Sequence, residues 1–293
     1  MLDFVSFFEG HKGAVLSLAG DPEENYFYSS GIEGLIVRWS LNKPNEGDVI
    51  TRLPGLVPSI CYSKNHDLIY AAINQKGIIA MDSTTGKKVN SVAIPATSFN
   101  RLLLLDDYLI VNTNKSELLI IEANTLKVVF RIKTGTSEPP LIASTNKTNT
   151  FWFKDTKGLQ LMNLANREVE KSLFAELTGN SIGIGAMGDY LMVLEPTEMI
   201  IQNTRKKSSN PILLKSAGDT FSGLHSGVNA PALLAVTNDH AIMELKITGK
   251  TIENGLKSKI LHNGPINDLL WSENHKFVLS ASADKYIGVW RFN

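Results

Sequence analysis

The sequence predicts an all-β fold, a seven-bladed β-propeller, and three observations predict it. Apolar residues come in short runs parted by turn residues, and almost no helical period lasts ten residues. A unit of roughly 40 to 45 residues recurs along the chain. A strand-like segment at the start belongs to no unit, while the last unit lacks an outer strand.

The runs carry the strand reading. Tyr26-Phe27-Tyr28-Ser29-Ser30, Leu109-Ile110-Val111-Asn112, Leu118-Leu119-Ile120-Ile121 and Tyr190-Leu191-Met192-Val193-Leu194 are bounded by Asn, Asp, Gly, Lys or Pro. The best case for a helix, a weak one, is Arg167 to Leu177.

The repeat is clearest at the two ends. Shifting the last 32 residues by 251 positions lays them on the first unit without a gap. His262 then falls on His11, Gly264 on Gly13, Ser280 on Ser29, Asp284 on Glu33, Ile287 on Ile36 and Trp290 on Trp39. Weaker units between them are phased by the end of each third strand: Trp39, Asp82, Glu122, Asn163, Gln202, Glu244 and Trp290. The steps of 43, 40, 41, 39, 42 and 46 residues match four-stranded blades. One domain is expected over 1–293, with residues 1–10 as a closing strand. Its approximate repeats are 11–53, 54–94, 95–133, 134–173, 174–215, 216–258 and 259–293.

The first unit reads Gly10-His11-Lys12-Gly13 and later Ser29-Ser30-Gly31-Ile32-Glu33-Gly34-Leu35-Ile36-Val37-Arg38-Trp39-Ser40. The last reads His262-Asn263-Gly264-Pro265 and later Ser280-Ala281-Ser282-Ala283-Asp284-Lys285-Tyr286-Ile287-Gly288-Val289-Trp290-Arg291. Both resemble the WD-repeat β-propeller family, whose unit begins with Gly-His and ends with Trp-Asp. The match departs where Gly is missing before His262 and where Ser40 and Arg291 replace the terminal Asp. The resemblance implies a structural relay through His11, Ser29, Glu33 and Trp39, and through His262, Ser280, Asp284 and Trp290. Carboxylate, imidazole, hydroxyl and indole N–H would satisfy one another inside a blade. Two copies in equivalent units argue for blade building, not for a hydrolase triad.

Leu2 to Phe8 precedes the first Gly-His and has strand length. Pairing it with the last unit would complete that blade and remove an open edge.

Composition leaves several classes unsupported, nucleic-acid binding among them. Lysine plus arginine, 29, balances aspartate plus glutamate, 29, so no global field draws the chain to nucleic acid or an anionic membrane. Arg205-Lys206-Lys207 reads as a solvated loop. The single cysteine, Cys61, forms no internal disulfide and sits in an apolar run. No signal peptide or membrane span is expected, which suggests a cytoplasmic protein, or a nuclear one in a eukaryote. The chain is expected to be monomeric on its own.

Other motifs fail in context. Gly183-Ile184-Gly185-Ala186-Met187-Gly188 fits GxGxxG, yet a strand follows where nucleotide binding needs a helix. Gly77 to Val89 resembles the blade repeat of quinoprotein-type propellers but occurs once, and its Asp82-Ser83-Thr84-Thr85-Gly86 turn is explained by turn chemistry. His66, His225, His240 and His275 lack metal-ligand spacing. No catalytic, cofactor or metal residues are assigned, and no cofactor is expected.

Propeller topology brings the loops entering the first strand and those between the second and third strands to one face. Candidate partner-binding residues there are Lys12, Glu33, Gln75, Lys76, Phe99, Lys115, Lys157, Phe221, Asp239 and Lys285, with Glu138, Asn180 and Asn263 on further entry loops. Phe99 and Phe221 stand out, because an aromatic on such a loop can anchor a partner; the competing reading is that they plug gaps between blades. The expected function is a non-catalytic scaffold or adaptor that docks other proteins or peptides. The alternative is a propeller enzyme or small-molecule sensor that uses the central channel.

Overall fold

The structure, a computed structural model, describes every residue except 1, 21–25, 45, 96, 137–140, 146, 174–180, 206–210, 216–219, 227–231, 249–250, 273 and 275. The side chains of 214–215, 246–248 and 251–256 also lie outside the description. Lys206, Lys207, Glu138, Asn180 and His275 from the sequence reading are among those not described.

Among the described residues every regular element is a strand. After β1 (Leu2–Phe8) comes the first blade, β2 (Val15–Gly20), β3 (Phe27–Gly31), β4 (Leu35–Trp39) and β5 (Asp48–Arg52). The second blade holds β6 (Ser59–Ser63), β7 (Leu68–Ile73), β8 (Gly77–Asp82) and β9 (Lys88–Ala93). The third holds β10 (Phe99–Leu105), β11 (Tyr108–Thr113), β12 (Glu117–Glu122) and β13 (Val128–Lys133). In the fourth are β14 (Ile142–Ser144), β15 (Thr150–Asp155), β16 (Gly158–Asn163) and β17 (Glu168–Leu173). In the fifth are β18 (Gly183–Met187), β19 (Tyr190–Leu194), β20 (Glu198–Asn203) and β21 (Ile212–Lys215). The sixth comprises β22 (Phe221–Ser226), β23 (Leu233–Thr237), β24 (Ile242–Thr248) and β25 (Thr251–Lys257), and the chain finishes with β26 (Ile266–Trp271), β27 (Phe277–Ser282) and β28 (Ile287–Phe292).

Six sheets are antiparallel meanders of four consecutive strands, and the seventh has the order β1-β28-β27-β26. The fold is the all-β seven-bladed propeller that the repeat predicts, with the N-terminal strand completing the last blade. Arg167 to Leu177 is not a helix over its described part: β17 occupies Glu168–Leu173. This is an outer strand with largely exposed side chains, so its charged residues show no buried alternation.

Backbone contacts gather the chain into two compact units. The larger contains Phe4–Pro140 and Ile266–Arg291, hence the last blade and the first three; the smaller contains Met1–Asp3, Leu141–Pro265 and Phe292–Asn293, hence blades four to six. Within each, the apolar clusters straddle neighbouring blades. Tyr28, Ile36, Ile60, Ile69 and Met81 join the first blade to the second, and Tyr70, Ile78, Phe99, Leu109 and Leu119 join the second to the third. In the smaller unit, Met192, Ile201, Phe221, Leu233 and Met243 join the fifth to the sixth. A single blade therefore has no core of its own and is stable only against its neighbours.

A polar ladder runs along the inner strands of the larger unit. Asp268 Oδ2 accepts the Leu18 N–H at 2.9 Å and the Ser17 hydroxyl at 3.2 Å. Ser17 Oγ accepts the Ile60 N–H at 3.2 Å, and Ser59 Oγ accepts the Leu102 N–H at 2.9 Å. Each first strand thus ties its side chain to the backbone of the next blade. Register shifts at Val15/Ser17, Phe99/Arg101 and Ile266/Asp268 mark bulges just before this level. A bulge re-aims the residue after it, which suits a side chain that must reach sideways.

Candidate interaction face

Under the face where β3 meets β4, the four relay residues of the first blade come together. His11 Nδ1 lies 2.7 Å from Glu33 Oε1, and His11 Nε2 lies 2.6 Å from Ser29 Oγ. The Trp39 indole donates to the same Ser29 oxygen at 2.7 Å. One proton assignment uses every hydrogen once: Trp39 N–H to Ser29, Ser29 O–H to His11 Nε2, and His11 Nδ1–H to Glu33. Ser29 is fully buried and His11 and Trp39 are nearly so, and a hydrogen bond in such surroundings is expensive to leave unmade. Burial works to raise the Glu33 carboxyl, but hydrogen bonds from its own backbone N–H and from His11 outweigh it and hold Glu33 below its ordinary value.

The last blade repeats the inner half of this arrangement. The Trp290 indole donates to Ser280 Oγ at 2.8 Å, and His262 is buried at 1 % exposure. Asp284 accepts the Tyr286 N–H at 3.0 Å, which closes the turn between β27 and β28.

These turns share a backbone device. Gly34, Ser116, His240 and Lys285 occupy corresponding corners with φ of 78°, 53°, 68° and 81°. At Gly34 a Cβ would stand 2.3 Å from the Leu53 carbonyl oxygen, so glycine is required there. The left-handed corner of the other three explains His240 as a turn former.

Lys12, Gln75, Lys76, Lys115, Lys157, Asp239 and Lys285 are exposed at the strand ends where sequence reasoning placed them, and Glu33 is half-buried beneath Lys12. Asp239 is ion-paired with Lys257 at 2.6 Å, and that ammonium together with the Thr237 hydroxyl holds its carboxyl below the ordinary value. Phe99 and Phe221 require correction. They are 2 % and 5 % exposed, packed in the clusters between blades two and three and between blades five and six. The entry to a first strand is where a blade meets its neighbour, so a ring there fills the gap and presents no surface.

The remaining motifs fall into structural positions. Gly183 begins the inner strand β18, where a Cβ would approach Leu224 Cβ to 2.8 Å, and Gly188 turns the chain at φ 55°. Asp82 Oδ1 accepts the Thr85 hydroxyl and N–H, both at 2.7 Å, and these hold the Asp82 carboxyl low. The same turn recurs with Leu126 at φ 53° and Arg167 at φ 60° in the place of Gly86. Burial pushes the Cys61 thiol well up. Among the described residues, no group of three or more His, Cys, Asp and Glu could hold a metal ion, and no helix is long and apolar enough to cross a membrane.

Sequence reasoning missed the inner-strand ladder of Asp268, Ser17 and Ser59. The signal was present, since the 251-residue offset lays Asp268 on Ser17, a polar residue at one level of an otherwise apolar strand.

Seven four-stranded blades, the first of them pinned by a His–Ser–Trp hydrogen-bonded relay, define a β-propeller built from repeats. The family model described as WD domain, G-beta repeat matches residues 2–40 and 256–291, the two units superposed by the 251-residue offset. Its first and last units match WD repeats, and the chain folds as a seven-bladed β-propeller. No relative was found among curated proteins.

Proposed function

We propose that the chain is a non-catalytic interaction platform, and that the turn face of its larger unit docks an acidic segment of a protein partner. WD-repeat propellers commonly mediate protein–protein interaction. The observation that carries the sharper reading is a row of lysines. Lys285, Lys12, Lys76 and Lys115 stand exposed on four successive blades, all at the same strand ends. The neighbouring acids are already engaged, Glu33 with His11 and Asp284 with the Tyr286 N–H. None of the four ammonium groups has a partner among the described residues.

A rigid scaffold presents such turns without paying much ordering entropy on binding. Each exposed charge contributes little alone, but a row of one sign steers an oppositely charged segment and selects against basic ones. The test is affinity capture from the native cell with mass spectrometry, run beside a variant with Lys12, Lys76, Lys115 and Lys285 all changed to Glu. The expected partner carries an acidic stretch, is lost from the variant, and is released toward 1 M salt, where the screening length shrinks to about 3 Å. Capture that is indifferent to both salt and the four substitutions overturns the reading.

A further inference from the structure

The fourth and fifth blades enclose a cavity of about 360 Å³ at the strand ends away from the Lys157 turn. Its walls come from the β14–β15 and β18–β19 turns, from Lys171 on β17, and from Thr204 and Arg205 after β20. We propose that this cavity binds a small molecule through a phosphate group.

The charge balance argues for an anion. Lys147, Lys171 and Arg205 line the cavity, and Asp189 is the only acid among its described lining residues. Asp189 is taken by Arg205, whose Nε lies 2.7 Å from Oδ1, so two ammonium charges stay uncompensated. Half-buried Lys171 reaches from the fourth blade to the Thr204 carbonyl of the fifth, a neutral acceptor, and has no carboxylate partner among the described residues. A phosphate monoester carries about −1.5 to −2 charges at pH 7, which matches that excess. Charge pairs formed in a partly enclosed site are also stronger than on an open surface.

The remaining walls fit an ester with a ring attached. The Ser144 hydroxyl and the Lys147 ammonium have no partner among the described residues and supply donors. Thr145 and Thr150 hydroxyls bond each other at 2.5 Å and shape the hairpin that carries Lys147. Trp152, Leu161 and Ala186 offer an apolar wall. The volume lies near the lower end of the roughly 300–1,000 Å³ usual for small-molecule sites, which suits a phosphate plus one ring.

Calorimetry and thermal melts with inorganic phosphate, phenyl phosphate and phenol test the assignment. Phenyl phosphate is expected to bind and raise the melting temperature, phenol to do neither. The double variant Lys147→Gln with Lys171→Met should bind at least about tenfold more weakly, while a variant of exposed Lys88 in the larger unit, Lys88→Glu, binds like the parent. Should the double variant misfold, Ala186→Trp, which fills the cavity, replaces it with the same expectation. Cosedimentation with phosphatidylcholine vesicles, with and without phosphatidic acid, identifies the source. Preference for the anionic vesicles assigns a lipid headgroup, and binding of the soluble ester alone assigns a free metabolite. Absence of phenyl phosphate binding at millimolar concentration, or equal binding by parent and variant, overturns the proposal.

Discussion

Ser29→Ala is the sharpest probe of how a blade is held. The substitution removes one hydroxyl that accepts from Trp39 at 2.7 Å and meets His11 at 2.6 Å. Neither partner has another acceptor or donor within the blade for that atom, and both side chains are shut away from water, at 7 % and 1 % exposure for His11 and Trp39. Each of the two orphaned groups costs about 1–3 kcal/mol, so the variant should lose about 2–6 kcal/mol. Urea unfolding followed by tryptophan fluorescence reads this as a lower midpoint at unchanged slope. In a Trp39→Phe background the indole donor is already gone, so Ser29→Ala should then cost roughly half as much, a clear departure from additivity. A loss below about 0.5 kcal/mol in the parent, or strict additivity in the cycle, would show that the relay contributes nothing beyond packing. Ser280→Ala, which orphans Trp290, provides the independent repeat of the same measurement.

Three further outcomes are expected. Deleting residues 1–8 removes β1 from the last sheet, together with Phe8, whose ring lies 5.3 Å from Phe27 and 5.7 Å from Trp39. The truncated protein should aggregate in light scattering through the exposed edge of β28, and one that melts like the parent refutes the closure. Phe99→Ala should destabilise by about 3–5 kcal/mol in chemical unfolding yet leave partner capture intact at low temperature, since the ring fills a gap between blades. Asp268 is raised from its ordinary 3.8, chiefly by burial, with Arg101 opposing. It binds its proton more tightly folded than unfolded, so the stability it contributes is complete below 3.8 and is lost as pH rises through the raised folded value. Asp268→Asn should flatten that part of the pH–stability curve, and an unchanged slope between parent and variant would refute the assignment.

What could be read before the coordinates follows from how strongly each position is constrained. Trp39 and Trp290, with the serines and histidines they serve, are buried polar groups that need specific partners, and such needs leave the same residues at the same spacing in both end units. The middle units retain only apolar alternation, because a gap between blades accepts any filling of the right volume. Third strands end at Trp39, Asp82, Glu122 and Asn163 as the phasing expects, but at Asn203, Thr248 and Phe292 in the later blades. The turn after β8 was legible through Gly86, whereas Leu126 and Arg167 adopt the same left-handed corner with residues that give no such signal. Leu126 accepts the strained conformation while its side chain is 1 % exposed in the cluster between blades two and three. Phe99 and Phe221 were misplaced for a related reason: loop position is visible in a sequence, but the direction of a side chain at a blade junction depends on the bulge beside it. The cavity between blades four and five left no motif, since Lys147, Lys171 and Arg205 are brought together from three separate turns and strands.

The strand that enters the last blade from the far end of the chain sets the timing of assembly. Asp3 and Asn293 are hydrogen-bonded across 290 positions, so on the ribosome β1 emerges first and its partner β28 among the latest of these residues. Closing a loop of about 280 residues costs roughly 2 kcal/mol more chain entropy than closing one of about 20. Until then six meanders can form locally while two edges wait unpaired. The growing protein should consequently depend on holding factors in that interval, and joining the two ends by circular permutation, so that β1 follows β28 through a short linker, should shorten it.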